Sequence, residues 1–457
     1  MFTGLSKYEA TRPDEFWSTT VPAHWQVMPG MAVLTENKAR NTGLTESQVL
    51  SLSYGRVIMK PVEKQRGLVP DSYEGYQILE PGDIVIRPTD LQNDQRSIRV
   101  GRVRDRGIIT SAYIGLRSKQ PWTTDYAYLY LTAVDSTKLI YGMGSGLRQQ
   151  LGWSDLKRMR CLVPPVDEQA AIVKYLVHAS ARIDKAIAAK RRLIALLQEQ
   201  AQAEAEALID YAAVDASEPL LGRALRRIEQ GTSPSAAEGD LAEDQWAVLS
   251  LSAVNRGLFV PTALKPVDRE FVVAPTLELH DGDLLMTRSN TRERVGDVAV
   301  VDGVRPKTFM SDLIYRLVLR DDLLIADFAS ILLRTRRVRM QIEGAARGSS
   351  DTMPKLTQGH IKGLRVSLPS LEAQKRVVAT LQALSGPIWA AEARTAREVV
   401  LLQEFRTRLV ADVVTGQVDV RDIAMSMPDI NLASSASDVS GGVGDVTTDE
   451  VVEMSEV

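Results

Sequence analysis

Pro164-Pro165-Val166-Asp167-Glu168-Gln169-Ala170-Ala171-Ile172-Val173-Lys174-Tyr175-Leu176 returns 205 residues later as Pro369-Ser370-Leu371-Glu372-Ala373-Gln374-Lys375-Arg376-Val377-Val378-Ala379-Thr380-Leu381. Each copy opens a stretch dense in Ala, Leu, Gln, Glu, Lys and Arg, the better helix formers. Pro164-Pro165 stands where a helix tolerates proline, and Asp167 and Glu168 favour the positive end of its dipole. Outward from this pair the duplication continues. Val49-Leu50-Ser51-Leu52-Ser53 recurs as Val248-Leu249-Ser250-Leu251-Ser252, and Gly82-Asp83-Ile84-Val85-Ile86-Arg87 as Gly282-Asp283-Leu284-Leu285-Met286-Thr287-Arg288. Leu196-Leu197-Gln198-Glu199 recurs as Leu401-Leu402-Gln403-Glu404. Two colinear half-molecules imply a ligand with two similar half-sites.

Each half reads as a globular α/β (α+β) part followed by a long helix. The expected divisions are 1–163, a first domain; 164–215, a first helix; 216–367, a second domain; 368–420, a second helix; and 421–457, an acidic, disordered tail. In the second helix Val377, Leu381, Leu384, Ile388, Ala391, Thr395, Leu402, Phe405 and Leu409 step by threes and fours, a heptad seam. Gly386-Pro387 predicts a break or kink in it. Ile172, Leu176, Ile183, Ile187, Ile194 and Leu197 form the seam of the first. Helices of this length reach roughly 70 Å and must bury their stripe. The repeat offers each the other, antiparallel and related by a pseudo-twofold axis. The competing arrangement packs each helix only on its own domain.

A chain of 457 residues with 44% hydrophobic and 25% charged residues suits a multidomain soluble protein. No apolar run is long enough for a membrane span, and no signal-peptide core follows Met1, so a cytoplasmic location is expected. One cysteine, Cys161, excludes an internal disulfide and a cysteine-based zinc site, and the four histidines lack ligand spacing. The net charge of −3 hides an uneven distribution: residues 417–457 hold nine carboxylates and one arginine, which leaves the rest at +5. That bias is too small to announce a nucleic-acid partner by itself. No phosphate loop, dinucleotide fingerprint or nucleophile elbow is present, so a catalytic site, a cofactor site and a metal site are not expected in this chain.

The domain-to-helix boundaries carry a resemblance. Leu162 through Gln169, with Ile172, Leu176, Ile183-Asp184, Ile187 and Ile194 through Glu199, resembles the helical region of the specificity subunit of type I restriction-modification enzymes. So does the second copy, through Val414-Thr415-Gly416-Gln417-Val418-Asp419. Val21-Pro22-Ala23-His24-Trp25 resembles the start of that family's first recognition domain, and Leu221-Gly222 with Gly231-Thr232-Ser233-Pro234 the start of its second. The likeness spans about residues 17–420. The copies depart where Ala373 replaces Glu168, Trp389 replaces Asp184, and the first helix lacks the Val-Thr-Gly ending.

The resemblance implies a non-catalytic reader of double-stranded DNA, in which two target-recognition domains each take half of a bipartite site and the helices fix the gap. Two modification subunits, carrying S-adenosylmethionine and the methyltransferase chemistry, would dock on the helices at Gln169, Ile172, Leu176, Gln374, Val377 and Leu381. Restriction subunits, which use ATP and Mg, would join for cleavage. DNA contacts are expected after the two Gly-Asp strands: Arg87, Arg96, Arg99 and Arg102 in the first half, Arg288, Asn290, Arg292 and Arg294 in the second, with Arg87 and Arg288 as matching positions. Further contacts are expected before each helix, at Ser145, Arg148 and Lys157, and at Ser349, Lys355 and Lys362. Three alternatives remain open: an enzyme with an unrecognised site, a coiled-coil scaffold without sequence-specific DNA binding, and a specificity subunit of a different restriction architecture.

Overall fold

The computed structural model describes residues 6–53, 55–60, 72–89, 91, 98–143, 150–214, 216–234, 241–268, 271–346 and 354–429. The chain divides into two compact units, Met1–Arg192 with Thr395–Val457, and Leu193–Arg394. The cut falls inside both long helices, Val166–Ala212 and Leu371–Val414. Each unit is therefore one globular part with a piece of each helix.

In the first unit a six-stranded sheet is built from β1 (Leu34–Glu36), β2 (Leu50–Ser53), β3 (Arg56–Met59), β4 (Ile84–Ile86), β5 (Val100–Arg102) and β6 (Ile114–Ser118), in the order β1-β6-β4-β5-β3-β2. In the second, β7 (Leu225–Gln230), β8 (Leu284–Thr287), β9 (Val298–Val300) and β10 (Ile314–Leu319) lie in the order β7-β10-β8-β9. The first four strands of the one order match the four of the other, so the sequence repeat is a structural repeat. The central strand of each, β4 or β8, is buried along its whole length, which explains its uninterrupted apolar run.

The Gly-Asp pair that opens these strands is the same turn twice. Gly82 and Gly282 have φ of +96° and +91°, a region open to glycine. Their N–H groups donate to Val103 and Val301, and the N–H groups of those valines donate to Asp83 and Asp283. Each aspartate accepts a backbone N–H from three residues upstream, Glu80 or His280, and meets an arginine of the strand beside it, Arg117 or Arg316. The identical Val-Leu-Ser-Leu-Ser pentapeptides fold differently. The first supplies β2, whereas the second ends its strand at Leu249 and coils through a 3-10 turn at Leu251–Ala253. The later copy has three more residues before its hairpin turn, Arg256-Gly257, both at positive φ.

The core of the first unit joins the sheet and the helix Thr124–Ser136 to Ile172, Val173, Leu176, Ile183 and Ile187 of the first long helix and Val399, Leu409, Val410 and Val413 of the second. Fully burying a Leu, Ile or Val side chain contributes about 1.5–3 kcal/mol. The helices run antiparallel here: Asp184 meets Arg406, and six residues further on Lys190 meets Glu398, eight residues earlier in the partner helix. In the second unit Gln198 meets Glu392, and Ile209 shares a core with Val377 and Val378, again antiparallel.

Three expectations need correction. The second helix is continuous through Gly386-Pro387. Proline removes one N–H bond, but Ala383, four residues before it, is exposed, so solvent can satisfy the orphaned carbonyl. The buried stripe passes through Ser385 and Arg406, while Leu384 and Phe405 are 46% and 38% exposed. The seam turns toward the side chains that find polar partners, such as Arg406 on Asp184. The segment assigned to the tail begins folded: Arg421–Ser426 is a short helix, and its Ala424 is buried in the first core. Residues 430–457 lie outside the described residues.

Candidate nucleic-acid interface

In the second unit the chain leaves β8 at Arg288 and is clipped at once. Leu356 N–H donates to Arg288 O at 2.8 Å, Ser289 Oγ donates to Pro354 O, and Ser289 pairs as an isolated bridge with Lys355. Tyr315 of β10 donates its hydroxyl to Leu356 O. These bonds bring Arg288, Asn290 and the exposed Lys355 together at one strand end. The Arg288 guanidinium lies over the Tyr315 ring at 6.0 Å and donates to Asp312 O, while its Nε is buried without a partner. A cation held on an aromatic face suits a phosphate oxygen or a guanine edge. Arg292 follows on an exposed turn, and Arg294 is half-buried, its carbonyl accepting from Thr287 Oγ1. Arg339 holds this turn through Val295 O and Glu293 O. Lys362 ends the short helix Gln358–Lys362 and packs against Gly222.

The first unit repeats the clip. Leu151 N–H donates to Pro88 O at 3.0 Å, just before the short helix Trp153–Leu156, after which Lys157 is half-buried. Pro88 is therefore the counterpart of Arg288. Arg87 corresponds to Thr287: their N–H groups donate to Arg99 O and Asp297 O at the same place in the ladder. The matching of Arg87 with Arg288 is thus off by one residue, and in a strand one residue changes the face.

Arg99 is fully buried and cannot be a surface DNA contact in this conformation. Its side chain donates to Thr89 O at 2.6 Å, to Arg87 O and to Tyr141 Oη, and its N–H donates to Asp135 at 2.6 Å. It braces the strand end from beneath. Asp135 is pushed up to about 6, first by burial, against the lowering effect of the Arg99 N–H and of Lys138. Arg102 is half-buried and paired with Asp125. Arg96, Ser145, Arg148 and Ser349 lie outside the described residues.

The residues expected to bind partner subunits are turned inward. Gln169, Ile172, Leu176, Gln374 and Val377 are buried, and Leu381 is half-buried. The first five fasten each domain to its own helix, so in this fold they offer little surface to an outside protein. Exposed apolar side chains lie elsewhere on the helices, among them Leu196 and Leu401, the same position of the repeat.

A cluster around Glu168 has no counterpart among the expected sites. This buried carboxylate meets His24 at 2.6 Å, accepts from Trp25 Nε1 at 2.8 Å and from Tyr8 Oη, and faces Arg421 at 3.5 Å. Arg421 also pairs with Asp419 and lies over the Tyr8 ring. Burial, with Glu168 and Asp419 adding to it, drives the Tyr8 hydroxyl far above its ordinary range. Glu168 thus ties Tyr8, His24, Trp25 and the short helix Arg421–Ser426 to the start of the first long helix. The signal was the replacement of Glu168 by Ala373 in the second copy.

Among the described residues no group of three or more His, Cys, Asp or Glu could hold a metal ion, and no helix is long and apolar enough to cross a membrane. Residues 276–399 match the type I restriction modification DNA specificity domain. A specificity subunit of the type I restriction enzyme EcoEI from Escherichia coli is 28% identical over 163 residues, 35% of this chain and 27% of that relative, so the match spans about a quarter of its length. In structure, a chain from work on complex assembly and conformational transition of the type I R-M system superposes over 87% of this chain and 99% of its own, with a TM-score of 0.50 at 14% identity. That likeness shows a shared fold. Residues 276–399 thus carry the likeness to a type I restriction-modification DNA specificity domain, and the resemblance read from the sequence, to the specificity subunits of those systems, is borne out.

Proposed function

We propose that the protein is the non-catalytic DNA-reading subunit of a type I restriction-modification complex, with each globular part reading one half of a bipartite target. The observation that carries this is the duplicated strand end: the same Gly-Asp turn, the same ladder and the same clip, at Pro88–Leu151 and at Arg288–Leu356. Around that common frame the side chains differ, which suits two readers of different half-sites. Arg288, Asn290 and Lys355, with Arg292 and Arg294 following, are the contacts of the second half; Arg87 and Lys157 are those of the first. The two long helices act as the spacer. Modification subunits dock on them, and the exposed Leu196 and Leu401 offer a repeated apolar foothold. S-adenosylmethionine, ATP and Mg belong to the partner subunits, and the complex works in the cytoplasm.

Selection of bound DNA from a random library by the assembled complex tests this. The expected product is two short fixed blocks separated by a fixed number of unread bases. Inserting seven residues into both helices lengthens each by about 10 Å, or about three base pairs of DNA. An unchanged gap contradicts the spacer role, and an unstructured selection contradicts the reading as a whole.

A further inference from the structure

The duplication poses a problem of partner choice. At an offset of 205 the helices share much of their apolar seam, Ile172 with Val377, Leu176 with Leu381, Ile183 with Ile388 and Leu197 with Leu402, although Glu392 stands at the repeat of Ile187 and Glu204 at that of Leu409. Hydrophobic periodicity alone would let the first helix pair with a first helix from another chain, and the second with a second. The polar contacts do not share this symmetry. Arg406, whose side chain is 9% exposed, meets Asp184 at 2.8 Å, and Lys190 meets Glu398. Carried through the repeat, the place of Asp184 is taken by Trp389, that of Arg406 by Ala201, that of Lys190 by Thr395 and that of Glu398 by Leu193.

We propose that this seam is a heterospecific lock, which fits the other half of this chain and rejects a second copy of the same half. In a like pairing of first helices Asp184 would meet Ala201 and Lys190 would meet Leu193. In a like pairing of second helices Arg406 would meet Trp389 and Glu398 would meet Thr395. A desolvated charge stripped of its partner is strongly unfavourable, so the discrimination comes chiefly from what the wrong pairing leaves unmet. Arg406 dominates, because burial lowers its pKa and Asp184 holds it up. Lys190 and Glu398 are partly exposed and contribute less. Gln198 and Glu392 do not discriminate against like second helices, since Gln403 stands at the repeat of Gln198. The lock holds whether or not the chain reads DNA.

The test uses the full chain with a protease site inserted after Ala213. The folded protein is cleaved, unfolded in urea and refolded, and the pairs are counted by native mass spectrometry. The expected result is mixed pairs almost alone. In D184A/R406A like pairs should rise about tenfold relative to the mixed pair. In D184R/R406D, which keeps the ion pair with its charges exchanged, mixed pairing should persist. Like pairs at random frequency from the wild-type chain, or mixed pairing undiminished in D184A/R406A, would overturn the proposal.

Discussion

Gln169 and Gln374 make the same three hydrogen bonds, each in its own unit. Gln169 Nε2 donates to Pro121 O and Pro164 O at 3.0 Å, and its Oε1 accepts the N–H of Thr123 at 2.9 Å. Gln374 Nε2 donates to Leu323 O and Pro369 O, and its Oε1 accepts the N–H of Ile325 at 3.1 Å. Thr123 and Ile325 cap the globular helices Thr124–Ser136 and Ala326–Arg334. One side chain per half thus joins a long helix to a domain helix. Replacing either glutamine with alanine strands buried polar groups and should cost about 2–4 kcal/mol. Urea unfolding with hydrogen exchange should place the loss of Q169A in the first unit and that of Q374A in the second. A loss within experimental error would contradict the clamp.

Arg288 and Arg99 should separate by phenotype. R288A and K355A are expected to leave the melting temperature near wild type while weakening DNA binding, and a lost phosphate contact lowers the salt slope by about 0.9. R99A removes the brace beneath the first strand end, so it should lower stability first. Binding isotherms at several salt concentrations, beside thermal melts, decide between them. R99A with wild-type stability and weakened binding would reverse the assignment.

Asp135 makes the first unit sensitive to pH. Its carboxyl is pushed up to about 6, against about 3.9 in an unfolded chain. Between those values Asp135 binds more protons in the folded form than in the unfolded form, so its contribution to stability falls as pH rises from about 4 to about 6 and levels off above, whereas carboxyls held low in the same unit, such as Glu46 and Asp419, contribute in the opposite sense. The urea midpoint of the wild type relative to that of D135N should fall across that range. Parallel curves would refute it.

Gly416, in the Val-Thr-Gly segment, sits at φ +72°, and a Cβ there would lie 2.3 Å from Pro22 Cδ. G416A should destabilise the first unit by about 2–3 kcal/mol, from backbone strain and from this clash. A thermal shift of zero would show that the neighbouring backbone yields freely.

The long helices, their antiparallel pairing and the repeated domain texture were legible because periodicity and repetition survive in letters. What sits around each residue was less so. Arg99 and Arg288 are both arginines in basic runs beside a Gly-Asp strand, yet one is a buried strut and the other a strand-end cation. Only the ladder separates them, and a slip of one residue matched Arg87 to the wrong partner. Repetition marks Gln169 and Gln374, but spacing gives a helix face without saying what covers it, and here the domain covers it. The two Val-Leu-Ser-Leu-Ser copies diverge because the later turn lies three residues further on, a tertiary demand that overrides local preference.

The most direct measurement is the adenine methylome of cells carrying this chain with its neighbouring modification subunit, set against cells lacking only this chain. The account predicts a split motif, two fixed blocks around a fixed gap, that vanishes when the chain is removed. A methylome unchanged by its removal, with the modification subunit shown to be active, would contradict it.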